Sequence, residues 1–297
     1  MQGINKIHHI SAIVGDVNEN LTFYREVLGL RLIKQTVNFD DPSTYHLYFA
    51  NKKGEIGTVM TFFPWQQAYT GRVGGGQVGR IAFSIPKGKL SNWQEKFEEL
   101  AISYTTEKIF KGAQLHFNDP HGLSLSLVES EEIGIDEDIT NIHGVELLST
   151  NYQMTLTGLM EHLGMTDAKE EDTVWRLFLR DEVVQEIVLP KKNLPIGRFG
   201  VGTVHHIAWS VPNDIKQMLW QDKLMALQYG VTEIKDRRYF KAIYLKEFGD
   251  IIFELATETP GFAIDETPEH LGEALMLPPQ FESQRSVIMS QLPELQL

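Results

Sequence analysis

No cysteine occurs in the 297 residues. That absence excludes a disulfide, a zinc ribbon, an iron–sulfur cluster and a thiol nucleophile, and leaves any metal to His, Asp or Glu. The 10 histidines and 40 acidic residues supply such ligands. Positive charge is also scarce: 27 Lys and Arg leave a net charge of −13. This argues against a nucleic-acid or anionic-membrane partner, since little would neutralise phosphates. No stretch reaches the ~18 consecutive apolar residues of a membrane span. The opening MQGINKIHHI lacks the long apolar run of a secretory signal. A cytoplasmic protein is the expectation. Hydrophobic residues at 42% and charged residues at 23% are globular proportions and exclude wholesale disorder.

What is present is a repeat. Residues 79–86 read GRIAFSIP and residues 205–212 read HHIAWSVP, at an offset of 126 residues. Each is an alternating strand stopped by proline and followed by an amphipathic helix. Ser91 is the expected cap of one helix, burying Trp93, Phe97 and Leu100. Asp214 is the expected cap of the other, burying Ile215, Met218, Leu219 and Leu227, with Gly230 as a stop. The pattern recurs at IHHISAIV (7–14), where Asp16 precedes a helix carrying Leu21, Tyr24, Val27 and Leu28. It recurs again at HGVELLS (143–149), before a helix with Leu156, Leu159, Met160 and Leu163. Gly29 and Gly164 close these two helices. Short strand-like runs follow every helix, so the unit is β-α-β-β-β, four times over. The units are expected to pair, because none can bury both faces of its own sheet. The expected class is α+β, with a first half over 1–130, an acidic linker over 131–142, a second half over 143–260 and a C-terminal strap over 261–297.

Four such units in two halves resemble the vicinal oxygen chelate superfamily, which includes glyoxalase, bleomycin-resistance proteins and extradiol dioxygenases. The resemblance implies two tandem domains whose curved mixed sheets surround a metal cavity, with ligands on first and fourth strands. His-His-Ile opens a first strand at 8–10 and again at 205–207. Strand alternation puts His9 with Ser11, and His206 with Ala208 and Ser210, on faces of small residues that leave room for a cavity. His8 and His205 are expected to point away from it. Glu254 sits in IIFELAT (251–257), where so apolar a strand requires a carboxylate to be paired, protonated or metal-bound. Two histidines and one glutamate with open positions suit Fe(II), with Mn(II) as a substitute. Two-domain extradiol enzymes take all their ligands from the second half, which makes His143 the alternative ligand.

Local runs narrow the resemblance. YHLYFAN (45–51), TFFPW (61–65), GTVHHIAW (202–209) and DRRYFKAIYLKEFGDIIFELATETPGF (236–262) are similar to bacterial ring-cleaving dioxygenases associated with hydroquinone and catechol compounds. The resemblance implies cleavage of an aromatic ring with O2 in quinone and aromatic detoxification. It also implies a tyrosine ten residues before the glutamate, here Tyr244, as hydrogen-bond partner of the bound substrate. The acid–base histidine of extradiol enzymes has no counterpart in KDRRYFK (235–241). His46 is the expected replacement, with Arg238 or Arg237 for charge stabilisation. Trp65, Phe62 and Phe63 are candidates to line an aromatic pocket. His116, His121, His162 and His270 read as structural. Glycines 74–76 read as a joining loop rather than a phosphate cradle, since no Lys-Ser/Thr pair follows. Two alternatives remain: a glyoxalase-like lyase or isomerase, which predicts a fourth protein ligand, and a non-catalytic binder of aromatic compounds. A homo-oligomer is compatible with each.

Overall fold

A computed structural model of the chain describes residues 3–131 and 138–297; residues 132–137, the centre of the acidic linker, lie outside the described residues. The first unit comprises β1 (Ile7–Val14), α1 (Val17–Thr22) continued by a π turn (Phe23–Val27), β2 (Arg31–Val37), β3 (Tyr45–Ala50) and β4 (Val59–Pro64). The second has β5 (Gln77–Pro86), α2 (Leu90–Glu99), β6 (Gln114–Asn118) and β7 (Ser124–Ser130). The third has β8 (Asn141–Leu148), α3 (Tyr152–Thr157) with a π turn (Gly158–His162), β9 (Ala168–Glu170), β10 (Val174–Arg180) and β11 (Val184–Pro190). The fourth has β12 (Thr203–Val211), α4 (Asp214–Ala226), β13 (Lys235–Asp236), β14 (Phe240–Lys246) and β15 (Ile252–Pro260). The strap ends in α5 (Arg285–Gln291). No helix among the described residues is long and apolar enough to cross a membrane.

The units pair outermost with outermost. One sheet runs β13-β14-β15-β12-β1-β4-β3-β2 and joins the fourth unit to the first; the other runs β6-β7-β5-β8-β11-β10-β9 and joins the second to the third. Each sheet therefore draws on both halves of the sequence. β1 is buried along its whole length, because helices cover one face of its sheet and the concave face encloses a cavity. The strap closes the floor of that concavity: Phe262 and Leu271 pack with Ile33, Tyr48 and Tyr239. In the second unit the strand expected after α2 is reduced to a single bridge between Thr105 and His116. The loop there sends Ile109 and Phe110 onto Ala82, Val128 and Val188 instead.

Asp16 caps α1, its carboxylate accepting from the Asn18 and Glu19 amides at 2.8 and 2.9 Å, and Leu21, Tyr24 and Leu28 are buried as the spacing predicts. The other two caps shift by one or two residues. Lys89 precedes α2 in place of Ser91, and Asn213 rather than Asp214 caps α4. The buried face of α4 also differs from the expectation. Gln217, Trp220 and Leu224 face the sheet, and Ile215, Met218 and Leu219 are exposed, as is Leu100 beyond α2. Apolar residues occupy two faces of α4, so periodicity alone does not choose between them. The choice follows from Gln217, whose amide donates to the carbonyls of Lys241 and Leu255 at 2.7 and 2.8 Å.

Glycines 74–76 belong to a packed ribbon. GRVGGG (71–76) and GRFGVG (197–202) lie side by side, with bridges between Arg72 and Arg198 and between Gly75 and Ile196. A Cβ at Gly200 would sit 2.3 Å from the Tyr69 carbonyl oxygen, and one at Gly75 would sit 2.5 Å from that of Leu194. Gly200→Ala and Gly75→Ala are each expected to destabilise the protein by about 1–3 kcal/mol through backbone overpacking, as read by urea denaturation.

The turn between β14 and β15 holds a second stability determinant. The buried Glu247 carboxylate accepts from Thr155 Oγ1 at 3.0 Å and from the Gly249 and Ile251 amides at 2.8 and 3.1 Å. Burial outweighs these donors and pushes the carboxyl up from 4.5 to about 7. A carboxyl raised on folding favours the folded state fully below its unfolded value, and that contribution is lost as pH rises through the folded value. Ionisation here costs on the order of 3 kcal/mol. Glu247→Gln should therefore flatten the fall in thermal midpoint between pH 4.5 and about pH 7; an identical fall in wild type and variant would refute the assignment.

Candidate metal centre

Strand pairing brings three side chains from distant parts of the chain to one point. Ser11 on β1 faces His206 on β12, and Ala208 on β12 faces Glu254 on β15. The Glu254 Oε2 atom lies 2.8 Å from His206 Nε2 and 3.5 Å from His9 Nε2. The two Nε2 atoms are 3.4 Å apart, and all three residues are buried. Neither Glu254 oxygen has a partner in hydrogen-bonding geometry.

Hydrogen-bond accounting explains why. His8 Nε2 lies 3.2 Å from the Thr257 carbonyl oxygen, to which it can only donate. Its Nδ1 must then accept from His9 Nδ1, 2.9 Å away, so His9 presents a bare lone pair at Nε2. The second doublet repeats the contact, with His205 Nδ1 2.8 Å from His206 Nδ1. Two imidazole lone pairs and a carboxylate thus converge with no proton between them, an arrangement that a cation satisfies. The donor set, two nitrogens and a hard oxygen, suits a divalent first-row metal. Burial pushes the Glu254 carboxyl up; positive charge at His9 and His206 brings it well below the usual carboxylate range, and with both imidazoles neutral a cation supplies that charge. Burial lowers His206 below its ordinary value against the opposing effect of Glu254. Burial, with the neighbouring ligand imidazole adding to it, holds His8 and His205 down to about 3.

A cavity of about 140 Å³ opens beside the cluster, walled by His46, Phe63, Trp65, His205, Arg237 and Tyr244. Tyr244 on β14 faces Glu254 across the ladder, and its hydroxyl accepts from Arg237 Nε at 3.3 Å. His46 is committed at both nitrogens: Nε2 lies 2.8 Å from Thr61 Oγ1, and Nδ1 accepts from the Tyr48 hydroxyl at 3.0 Å. Phe62 turns from the cavity into the core against Tyr24, with ring centroids 4.4 Å apart.

Three expectations are corrected here. Arg238 points away from the cavity and donates from Nε to Asp265 at 2.7 Å. Neighbours on this turn face opposite sides, so Arg237 takes the cavity position. His143 lies on β8 in the other sheet, with Nδ1 3.1 Å from Ser84 Oγ and Nε2 3.7 Å from Glu186, and cannot join the cluster. His205, expected to point outward, lines the cavity. The ladder gives the reason. Ser11 pairs with His206 and Ala12 with Val204, leaving His205 as the extra residue of a β-bulge. His8 is the extra residue on β1, and His143 holds the same position where β5 pairs with β8. A one-residue bulge breaks strict alternation, and only the doubled histidine hints at it in the sequence.

The sequence profile of the Glyoxalase/Bleomycin resistance protein/Dioxygenase superfamily matches residues 6–127. Glyoxalase I from Zea mays superposes with a TM-score of 0.66 at 14% identity, over 86% of this chain and 92% of that one, a likeness of fold alone. The chain belongs to this superfamily, whose members are metal-dependent. MhqO of Bacillus subtilis (strain 168), named as a ring-cleaving dioxygenase, is 46% identical over 296 residues, 95% of this chain and 94% of that protein. A solved structure named as a dioxygenase, from Bacillus subtilis subsp. subtilis str. 168, superposes with a TM-score of 0.96 at 43% identity, over 100% and 99% of the two chains. The chlorohydroquinone/hydroquinone 1,2-dioxygenase of Sphingobium indicum is 29% identical over 311 residues, 96% of this chain and 95% of that protein. Within the superfamily the chain belongs to the ring-cleaving dioxygenases, which act on aromatic compounds with O2.

Proposed function

We propose that the protein is an Fe(II)-dependent dioxygenase that opens the ring of a hydroquinone- or catechol-type compound, with Mn(II) able to replace the iron, in the disposal of reactive aromatic compounds. The observation that carries this reading is the buried cluster of two imidazoles and one carboxylate, which no fourth side chain joins among the described residues. A glyoxalase-type lyase calls for that fourth ligand. His9, His206 and Glu254 would hold the metal, which when bound supplies Lewis acidity and adjacent open positions for a phenolic substrate and O2. Both oxygen atoms end in the product.

The cavity sets the substrate's size. An apolar cavity of roughly 150 Å³ accommodates one benzene molecule, so about 140 Å³ admits a single six-membered ring. Phe63 and Trp65 supply its aromatic walls. Two-ring diols such as 1,4-dihydroxynaphthalene are expected to give a kcat/KM at least about a hundredfold below that of hydroquinone, the scale of about 3 kcal/mol of lost fit. Comparable values for the two would contradict this assignment.

Tyr244 and Arg237 are the donors for a substrate oxygen beside the carboxylate. Burial, and then the Glu254 charge, raise the Tyr244 phenol, so it keeps its proton and donates. Burial opposes the charge of Arg237, and the Asp40 carboxylate, 3.0 Å from Nη2, sustains it, ready to balance a phenolate. As a further donor beside Tyr244 and Arg237, the geometry favours His205 over His46. His205 spends Nδ1 on His206, and no hydrogen bond to its Nε2 is formed among the described residues. With Nδ1 accepting from His206, the neutral His205 ring carries its proton at Nε2 and presents it to the cavity as a hydrogen-bond donor. His46, bonded at both nitrogens, serves as a polar wall. The test is anaerobic reconstitution with Fe(II), followed by oxygen-electrode assays with hydroquinones and catechols. One O2 consumed per ring lost is the expected result; no uptake with either class would sink the reading.

A further inference from the structure

The strap reaches the cavity through one carboxylate. Lys34 is fully buried and would be costly there alone, yet it donates to Asp265 at 2.7 Å and to Glu266 at 2.5 Å and lies 4.9 Å from the Tyr239 ring centroid. Asp265 spends its second oxygen on the turn that carries Arg237. Oδ2 accepts from Arg238 Nε at 2.7 Å and from the Tyr239 hydroxyl at 3.2 Å. That turn is tight: the Arg237 amide donates to the Phe240 carbonyl at 2.9 Å, and the Tyr239 amide donates to the Arg237 carbonyl at 2.7 Å. At its centre Arg238 takes a left-handed φ of +64°, a conformation that a side chain other than glycine keeps only when its surroundings impose it. The two ties to Asp265 act on Arg238 and on the residue after it. Arg237 and Phe240, on the other side of the turn, face the cavity.

We propose that Asp265 is a positioning residue: by clamping Arg238 and Tyr239 it holds the Arg237 guanidinium against Tyr244 in the substrate cavity. The inference rests on the proposed ring cleavage for its kinetic consequence, but not for its geometry. Asp265→Asn and, independently, Arg238→Gln are to be crystallised and assayed as full-length protein. In both, Arg237 Nε should leave hydrogen-bonding distance of the Tyr244 hydroxyl. The KM for hydroquinone should rise about tenfold or more, and Mn(II) affinity, measured by chelator competition, should stay within about threefold, since no metal ligand is touched. In an Arg237→Lys background, Asp265→Asn should add less than about twofold. Should Asp265→Asn fail to fold, Arg238→Gln carries the test, because it leaves the Lys34 pairs intact. Arg237 still seated on Tyr244 in the crystals, or full additivity in the double variant, overturns the proposal. If the wild-type protein cleaves no ring, the functional reading fails, and the position of Arg237 in the variant structures still decides this one.

Discussion

Glu254→Gln is expected to fold, to bind no metal tightly and to consume no oxygen. The amide preserves the volume of the side chain but removes the negative charge on which a divalent cation depends. It also places a donor opposite two imidazole lone pairs, within 2.8 Å of His206 Nε2 and 3.5 Å of His9 Nε2 if it keeps the position of Oε2. The cluster then satisfies itself with hydrogen bonds, and a metal must break them to enter. Metal affinity should fall by at least about a thousandfold, roughly the 4 kcal/mol expected when a paired buried charge is removed. The metal-free variant should melt no lower than metal-free wild type, because a desolvated carboxylate has become a neutral, hydrogen-bonded amide. Metal content after dialysis, a thermal melt and an oxygen electrode measure the three effects. Wild-type turnover in Glu254→Gln would remove the cluster from the chemistry altogether.

A paired substitution at His205 gives the next largest effect. His205 has two roles in this geometry: Nδ1 fixes the His206 ring at 2.8 Å, and the other nitrogen faces the cavity. His205→Asn keeps an acceptor near Nδ1 but withdraws the Nε2 donor from the cavity. It should retain metal affinity within a few fold while kcat falls by about 10²–10³, the range for loss of a preorganised donor to developing negative charge. His205→Ala loses both roles and should also weaken metal binding by about 10–100-fold, as removal of a ligand's orienting partner does. His46→Asn should cost less than about tenfold in kcat, because both His46 nitrogens are bonded to Thr61 and Tyr48 rather than to substrate. If the ranking of His46 and His205 came out reversed, the role of donor to the substrate would move to His46.

The repeat made the fold legible. GRIAFSIP and HHIAWSVP announce the same strand, and four such strands followed by helices permit few architectures. Glu254 was legible because a lone carboxylate in an apolar strand has few options. What escaped was whatever depends on a single residue of register. Alternation assigns His205 to the outer face; the bulge turns it inward. Alternation does not separate Arg237 from Arg238 either, because the turn that sends one into the cavity and the other to Asp265 depends on a strap remote in sequence. The outward face of α4 is equally apolar to the eye, and only the two backbone carbonyls awaiting Gln217 decide which side turns in.

The pairing of first unit with last has a consequence for how the protein is made. His9 and His206 are 197 residues apart in sequence and share one sheet, so their meeting is among the most non-local events in folding. On the ribosome, a chain that has finished its second and third units already has every strand of the seven-stranded sheet, yet His9 still waits for β12 and β15. A nascent or truncated chain thus exposes isolated histidines and no carboxylate beside them. On the proposed reading, metal capture is thereby deferred until the last module docks, when the walls of the cavity are already in place.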